Sequence, residues 1–512
     1  MGHVTLPSMR SEPPKPATSL ADDATQLAGG SAIVMAGGLI ERAVRMLTTW
    51  FLSGVLGPAA FGLYAFATTV VAILGWIAPL GMDAGAAMYG ARYRKTNEQQ
   101  KLKGLLFSTL GCVAITGPLF AIATWMLVRN GLVLADSPQE AHALLTISSA
   151  IALAAALFVA TFTLISQKDM VGQAWAQQIT LPVATLVGAG LAIVLDHGVD
   201  GVMVAFVVAH ALALIVALTR IWYSDGPLLR DSTIRPRFEW GPLLRYTIPQ
   251  SFARVLYRAN LWVDILMLTA LASLTDVGVY RVSVALAMLG ALPVVASTTM
   301  FGPVIAELIY TDQTARLNAL LKVITRWLVV IATPLYFTVL LLPDVILSIF
   351  DEAYQSGSTA LCILMIGQAV YVIAAPTGAI LTNAGHSMLN LINGLIAVGL
   401  NIALNTWLIP EYGIQGAAIA SATALVVWST LRLVEVAVLH RCSPFSVRSL
   451  AVVLTALVAG LLSHYALVDQ SVWVRVPSVA IELLVGLVIF WMIGRTDEDD
   501  AVVNRVRARL GR

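Results

Sequence analysis

Long apolar stretches are the feature of this chain that most constrains its fold. Segments of 18 residues or more with few charges recur from Ala28 to Gly494. Each is long enough to cross about 30 Å of hydrocarbon as an α-helix. Because 58% of the 512 residues are hydrophobic and only 12% are charged, the chain cannot cover itself with a polar surface. We therefore expect an integral membrane protein.

These stretches predict an all-α membrane protein rather than a β-barrel. They are continuous and rich in Leu, Ala and Val, whereas barrel strands alternate in polarity over about ten residues. We predict fourteen transmembrane helices at residues 29–53, 59–84, 104–128, 142–166, 173–195, 199–222, 244–270, 276–302, 321–342, 358–382, 388–409, 414–439, 449–467 and 472–494.

The distribution of basic residues predicts the orientation of these helices. With the N-terminus in the cytoplasm, most Lys and Arg fall in cytoplasmic segments, and the outer loops hold only Arg129 and Arg475. We therefore expect a bacterial inner membrane protein with both termini in the cytoplasm. Topology accounts for the basic residues, and no basic patch with interleaved aromatic residues indicates nucleic acid.

Two short motifs recur at nearly the same spacing. The segment 61–64 (Phe-Gly-Leu-Tyr) returns as 277–280 (Val-Gly-Val-Tyr), and 196–201 returns as 411–416 with Gly at the same two positions. Both matches join the same ordinal helices, six spans apart, which indicates a parallel repeat. We expect two six-helix lobes around a central cavity, with two additional C-terminal helices.

The predicted organisation follows from these repeats. We assign a disordered cytoplasmic tail (1–27), an N-lobe (28–223), a cytoplasmic linker (224–243), a C-lobe (244–440), the additional helix pair (441–495) and a cytoplasmic tail (496–512).

Charges inside the predicted spans are the candidate functional residues, because each costs about 2.5 to 3.5 kcal/mol at the bilayer centre unless it is paired or hydrated. Equivalent helices of the two lobes carry arginines, and a further arginine lies near the outer end of the eighth span. The five candidates are Arg42, Arg45, Arg254, Arg258 and Arg281.

These arginines outnumber the carboxylates Glu41, Asp83 and Asp264 inside the same spans. We therefore predict a cationic cavity that binds an anion, with phosphate oxygens matching the guanidinium fork. The three carboxylates are the candidates for ion coupling. As an alternative, Glu41 pairs with Arg45, and Asp264 with an arginine, only to hold helices together. His210 is either a proton carrier or a helix-packing donor.

The sequence carries no signature of an enzyme. It contains no Walker A segment, no zinc-binding His-Glu-x-x-His and no nucleophile elbow. Cys112, Cys362 and Cys442 lack the spacing of metal ligands. We expect no cofactor, no metal and no ATP, so an ion gradient or the membrane potential would drive transport.

The segment 56–65 (Leu-Gly-Pro-Ala-Ala-Phe-Gly-Leu-Tyr-Ala) resembles the hallmark of polysaccharide-biosynthesis flippases of the Wzx type, in the multidrug, oligosaccharidyl-lipid and polysaccharide exporter (MOP) superfamily. Residues 383–386 and 409–420 resemble the same family. The resemblance implies two six-helix lobes and a cationic cavity for the pyrophosphate and sugars of a polyprenyl-linked oligosaccharide. It also implies membrane lipid, and candidate polymerase or chain-length proteins, as partners.

Three other functions stay open at this point. A lipid II flippase would share the fourteen-helix plan and the cationic cavity. A drug exporter would need carboxylates and aromatic residues for cationic substrates, which the arginine excess disfavours. A scaffold for the polysaccharide polymerase would not need arginines deep in the membrane.

Overall fold

The computed structural model describes residues 20–131, 137–445, 470–471, 473–479 and 484. The side chains of residues 20–35 and 252–261, and of some residues between 295 and 303, lie outside the described part, as does that of residue 387. All regular structure in the described ranges is helical, which confirms the prediction of an all-α protein.

The first half of the chain forms eight α-helices and one π-helix. They are α1 (Leu20–Ile77), α2 (Met82–Lys95), α3 (Gln99–Arg129), α4 (Pro138–Ile147), α5 (Ser149–Ser166), α6 (Met170–Gln173), the π-helix Ala174–Thr180, α7 (Leu181–Val194) and α8 (Gly198–Arg230). The second half contains α9 (Trp240–Leu271), α10 (Leu274–Leu289), α11 (Leu292–Tyr310), α12 (Thr314–Leu341), α13 (Pro343–Ser348), the 3₁₀ helix Glu352–Gly357, α14 (Ser358–Asn383) and α15 (Ser387–His440).

The two longest helices each consist of two spans joined at a glycine. The 58 residues of α1 would extend about 87 Å as one straight helix, far more than a bilayer is thick. The backbone of α1 is non-helical at Gly57 (φ 73°), and that of α15 is non-helical at Gly413 (φ 54°). Glycine adopts these positive φ values without steric cost, so each turn can be this short.

Eight helices in the described ranges are long and apolar enough to cross a membrane, and the chain is an integral membrane protein. Two of the eight contain the divided helices α1 and α15. The predicted span 449–467 lies outside the described residues, as does most of 472–494. The count of fourteen stays a prediction.

Several predicted spans contain a helix break. The sequence did not predict these breaks, because the apolar run continues through them. The second span ends at Ile77 and resumes as α2 after Leu80 (φ 51°) and Gly81 (φ 78°). The eighth span divides into α10 and α11 at Gly290 and Ala291. Prolines at 79 and 293 accompany these two breaks, because proline has no backbone N–H to donate. The fourth predicted span likewise divides into α4 and α5.

Most of the buried apolar clusters belong to one half of the chain. Three apolar clusters draw their buried residues from 63 to 243, and another draws its buried residues from 294 to 442. A further cluster joins both halves through Leu52, Phe61, Val277, Tyr280 and Ile414. Packing is thus continuous across the junction of the halves.

The repeated motifs occupy equivalent backbone positions. Gly198 has a φ of 55° and Gly413 a φ of 54°, so the turn before α8 matches the turn inside α15. Three residues later, a methyl group at Gly201 would overlap the Cβ of His197, and one at Gly416 would overlap the carbonyl of Leu408. Glycine is therefore required twice in each motif, once for conformation and once for space.

The connection between α8 and α9 is bound to the end of α2 and the start of α3. Lys103 Nζ donates to the carbonyl of Asp231 at 2.6 Å, and the Arg237 amide donates to Gln100 O at 2.9 Å. The Tyr93 hydroxyl donates to Glu239 Oε2 at 2.7 Å. This hydrogen bond, with that of Lys101, holds the pKa of the Glu239 carboxyl below its usual range.

Cysteine labelling tests the predicted topology. Exposed Ser356 precedes α14, Ser137 caps α4, and exposed Ser232 lies between α8 and α9. We expect cysteines at Ser137 and Ser356, in a chain without its native cysteines, to react with an impermeant maleimide from outside. A cysteine at Ser232 should react only after permeabilisation. The reverse pattern would invert the predicted orientation.

Candidate functional site

Two arginines from different halves of the chain lie within electrostatic range of each other. Arg45 of α1 and Arg281 of α10 lie close enough for their charges to repel, and the phenol of Tyr64 lies near both. Arg45 Nε donates to Glu41 Oε1 at 2.9 Å, and 56% of the Arg45 side chain stays exposed. Among the described residues, Glu41 is the sole carboxylate bonded to either arginine. The site keeps an excess of positive charge.

An aromatic wall lines this site. The rings of Tyr64 and Phe206 pack edge to face at 6.2 Å, and Phe206 packs on His210 at 4.4 Å. His210 Nδ1 lies 2.9 Å from Phe206 O, and because a carbonyl only accepts, Nδ1 carries the hydrogen. His210 is also within electrostatic range of Arg45. His210 therefore makes a hydrogen bond within its own helix, α8, and borders the cationic site.

Arg42 lies one turn before Arg45 on α1. A methyl group added at Gly38 would lie 3.8 Å from Arg42 Nη1, so the guanidinium extends back along the helix. Within the described ranges Arg42 has no ion pair. Arg254 and Arg258 lie on α9, but their side chains are outside the described part, so their predicted position opposite Arg42 and Arg45 stays a prediction.

Asp264 of α9 lies in a buried cage of neutral polar side chains. It accepts hydrogen bonds from Asn405 Nδ2 at 2.8 Å, from the Tyr280 hydroxyl at 3.1 Å and from Ser421 Oγ. Asn405 Nδ2 also donates to Asn401 Oδ1 at 2.6 Å. The cage thus joins α9, α10 and both halves of α15.

No cationic side chain of the described residues compensates Asp264, which is 4% exposed. Its hydrogen bonds come from neutral donors, so the alternative that it pairs with an arginine finds no support in the described side chains. Within the same cage, Asn405 Oδ1 is buried and has no hydrogen-bond partner. An uncompensated carboxylate beside a free carbonyl oxygen is a suitable environment for a small cation or a proton.

Asp83 lies apart from this cage, in the first turn of α2. It is buried, and the 14 residues of α2 continue from it toward Lys95. The helix break at Gly81 places Asp83 at the start of α2, and its predicted role in ion coupling stays a prediction. A methyl group at Gly81 would overlap the carbonyl of Thr247, so Asp83 lies where α2 packs against α9.

On the predicted outer side of the site, α1 and α10 are in backbone contact at two glycines. A methyl group at Gly62 would overlap the Leu274 carbonyl, and one at Gly278 would overlap the Pro58 carbonyl. These glycines are the second residues of the two repeated motifs. Nearby, Trp50 Nε1 donates to Ile349 O at 2.9 Å. Only glycines allow the two helices to approach this closely.

Sequence reasoning identified Arg45, Arg281, Glu41 and Asp264 but not their neutral partners. Asn401 and Asn405 lie four residues apart in an apolar run, a spacing that places both on one helix face. That spacing could have marked the cage. Tyr64 and Tyr280 end the two repeated motifs, yet nothing in the sequence shows that one borders the arginines and the other binds Asp264.

Comparison with known proteins identifies the family. The family model for polysaccharide biosynthesis proteins matches residues 27–309, more than half of the chain. The chain belongs to this family. A search of curated proteins finds no match.

This protein also shares its fold with solved transporters. It is similar to the lipid II flippase MurJ in an inward closed conformation, with a TM-score of 0.71, 14% identity, and coverage of 92% of this chain and 100% of that one. It is similar to an inward-facing multidrug resistance MATE family transporter of the MOP superfamily, with a TM-score of 0.63, 14% identity and coverage of 86% and 99%. For the MATE multidrug transporter DinF-BH in a ligand complex, the TM-score is 0.61, with 18% identity and coverage of 83% and 98%. The resemblance to the polysaccharide-biosynthesis family is thus confirmed by the family model, and the solved structures show a shared fold.

The glycine contact predicts how this family member opens to the outside. In Gly278→Leu the side chain cannot fit against Pro58, so the outer contact should separate. A cysteine at Phe206, in a chain without its native cysteines, should then react at least fivefold faster with an impermeant thiol reagent from outside. Gly394→Leu is the control, because a methyl group at Gly394 meets nothing within 4 Å. Equal rates in all three backgrounds would show that this contact does not close the site.

Proposed function

We propose that the protein flips a polyprenyl-pyrophosphate-linked oligosaccharide from the cytoplasmic to the periplasmic leaflet for assembly of a surface polysaccharide. The observation that carries this proposal is the proximity of Arg45 and Arg281, which come from different halves of the chain. Membership of the polysaccharide biosynthesis family supports the substrate class.

Electrostatics favours an anion between these two arginines. A charge in the membrane is costly unless it is paired, Arg281 has no ion pair among the described residues, and a second like charge within electrostatic range adds repulsion. A pyrophosphate offers oxygens to both guanidinium groups and reverses that repulsion. The polyprenyl tail stays in the hydrocarbon of the membrane while the head group crosses. The sugars occupy the hydrated cavity.

The proposed architecture is that of alternating access. Fourteen spans form two six-helix lobes in parallel repeat, and the additional C-terminal pair lies outside them, in the inner membrane with both termini in the cytoplasm. The glycine contact between α1 and α10 supports a state that is closed on the outer side. Loading from the cytoplasm would precede separation of this contact.

The Asp264 cage is the proposed coupling site. Entry of a proton or Na⁺ would neutralise a buried carboxylate that no described cation compensates. The oxygens of Asp264, Asn405 and Ser421 are hard ligands of the kind that Na⁺ prefers. Glu41 and Asp83 are secondary candidates, since Glu41 already pairs with Arg45.

A lipid II flippase is the second candidate, and the structural similarity to MurJ favours it. Both substrates carry a pyrophosphate on a polyprenyl chain, so the arginine pair suits either. Complementation separates the two. Rescue of surface polysaccharide in a strain lacking this gene supports the first function, and survival of a cell depleted of its lipid II flippase supports the second.

Substitution of the arginines tests the anion site. We expect Arg45→Ala and Arg281→Ala each to lower flipping at least tenfold, and the Lys variants to recover only part of it, because an ammonium lacks the bidentate fork. The assay follows a fluorescent polyprenyl-pyrophosphate-N-acetylglucosamine in proteoliposomes, where dithionite quenches the outer leaflet. Arg129→Ala, in the outer loop region, is the control. Wild-type rates in both Ala variants would leave the arginines a purely structural role.

Neutralisation of Asp264 tests coupling. Asp264→Asn should reduce accumulation driven by an imposed pH or Na⁺ gradient at least tenfold, and Asp83→Asn should reduce it less, because the cage surrounds Asp264 alone. Passive exchange without a gradient separates lost coupling from lost folding, since a folded variant still exchanges substrate. If Asp264→Asn responds to the gradients like the wild type, coupling lies elsewhere.

A further inference from the structure

A buried ion pair joins the last predicted span to the second half of the protein. Arg475 lies in the helical residues 473–479, and its Nη1 and Nη2 donate to Asp344 Oδ1 and Oδ2, both at 2.7 Å. The sequence placed Arg475 in an outer loop, yet the residue is only 5% exposed. A buried guanidinium that loses its carboxylate is left as an uncompensated charge, so this pair constrains the position of Asp344 strongly.

The same guanidinium spans the bend between α12 and α13. Arg475 Nη1 also donates to the carbonyl of Leu341, the last residue of α12, at 3.3 Å, whereas Asp344 lies in the first turn of α13. Val479, one turn after Arg475 on the same helix face, packs with Leu341 and Leu342. A helix of six residues is too short to be stable by itself, so tertiary contacts of this kind must set the orientation of α13.

The segment that begins at α13 contacts α1 of the first half. Residues 343–357, which we call the outer segment, contain α13 and the 3₁₀ helix and lie on the predicted outer side. Trp50 Nε1 of α1 donates to the carbonyl of Ile349 at 2.9 Å, and the Tyr354 hydroxyl donates to the carbonyl of Ser53 at 3.2 Å. The outer segment and α1 thus donate one hydrogen bond to each other.

The outer segment also packs against α10. A methyl group at Gly357 would lie 2.7 Å from Ser283 Oγ and 2.8 Å from a methyl carbon of Val279, which is too close for either contact. Val279 follows Gly278, the residue that meets the Pro58 carbonyl of α1. The outer segment therefore bridges α1 and α10, the two helices that are in backbone contact at the glycines.

The two attachments of the outer segment differ in strength. Toward α1, its described polar contacts are two single hydrogen bonds to backbone carbonyls, which water can replace when the halves separate. Toward its own half, Asp344 is held by a bidentate ion pair whose loss would leave a buried charge. Separation of the halves should therefore release α1 and leave the outer segment attached to α12.

We propose that Arg475 is a positioning residue for the closure of the predicted outer side. It fixes the bend between α12 and α13, and it thereby holds the outer segment against α1. Its effect on α1 is indirect, through Asp344 and the outer segment. The last predicted span thus stabilises the state in which the two halves are in contact. This role goes beyond the proposed function and requires no particular substrate.

A cysteine in place of Ser53 reports on the contact with α1, because Ser53 is fully buried and its carbonyl accepts the Tyr354 hydrogen bond. The full chain, without its native cysteines and with Ser53→Cys, is reconstituted in nanodiscs and its rate of reaction with a maleimide is measured. We expect Arg475→Gln and Asp344→Asn each to raise this rate about fivefold, equivalent to about 1 kcal/mol. Arg475→Lys should raise the rate less, because lysine keeps the charge and loses only the fork.

The double variant tests whether the two residues act as one pair. Arg475→Gln combined with Asp344→Asn should react no faster than the faster single variant, because the first substitution already removes the interaction. Rates that multiply in the double variant would show that the two side chains act separately, which contradicts the proposal.

Two controls separate this role from a general loss of structure. Arg220→Gln breaks another bidentate pair, in which Arg220 donates to both oxygens of Asp169 at 2.9 Å on the predicted cytoplasmic side. It should leave the rate at Ser53→Cys unchanged. Ser108→Cys, at a buried position of α3, should stay protected in the Arg475→Gln background.

Two results would overturn the proposal. An unchanged rate at Ser53→Cys in Arg475→Gln would show that the outer segment is held without Arg475. Equal exposure of Ser53→Cys and Ser108→Cys would show that the ion pair stabilises the whole fold rather than this contact. Because the assay contains no substrate, either result leaves the proposed flippase function to its own test in proteoliposomes.

Discussion

The close packing of α1 on α10 is the interaction on which the rest of this structure depends, because Arg45 of α1 and Arg281 of α10 lie within electrostatic range of each other. Two guanidinium groups from different halves of the chain approach one another in a protein whose solvent is largely hydrocarbon. Packing must supply the free energy that holds them there. The apolar cluster that joins both halves, and the close contact of Gly62 with Gly278, are the described features able to do so. An anionic substrate between the two guanidinium groups would replace their repulsion by attraction. A ligand that favours one conformation in this way shifts the conformational equilibrium toward it.

The two sites differ in the sign of their uncompensated charge. Around Tyr64, where Arg45 and Arg281 come from different halves of the chain, positive charge exceeds negative charge, and Glu41 offsets only part of it. Asp264 of the second half is surrounded by neutral donors, with an unpaired amide oxygen beside it. One site is thus suited to an anion and the other to a cation. The tyrosines that end the two recurring motifs border these opposite kinds of site.

The sequence predicted the membrane environment and the helical class, because both follow from hydrophobicity, while the repeat that the matched motifs indicate stays a prediction. It also identified the charged members of both sites, because charges inside apolar runs are rare. It did not predict the helix breaks at Gly81 and Gly290, since a proline in an apolar run is compatible with a continuous kinked helix as well as with a break. Nor did it identify Asn405 or Ser421. Neutral polar residues are common in spans, and only the three-dimensional arrangement shows which of them meet a carboxylate or lack a partner.

One turn of α10 takes part in the Gly62–Gly278 contact, the Asp264 cage and the Arg45–Arg281 pair. Gly278 packs against Pro58, Tyr280 donates to Asp264, and Arg281 lies near Arg45. At 100° per residue these three positions point in different directions from one helix. A rotation or shift of this turn therefore alters all three contacts together, without any longer pathway between the sites. Under the proposed function, neutralising Asp264 would loosen its bond to Tyr280, and binding pyrophosphate would draw Arg281 toward Arg45. Both events act on the residues that flank the glycine contact, so ion and substrate can bias the same opening step.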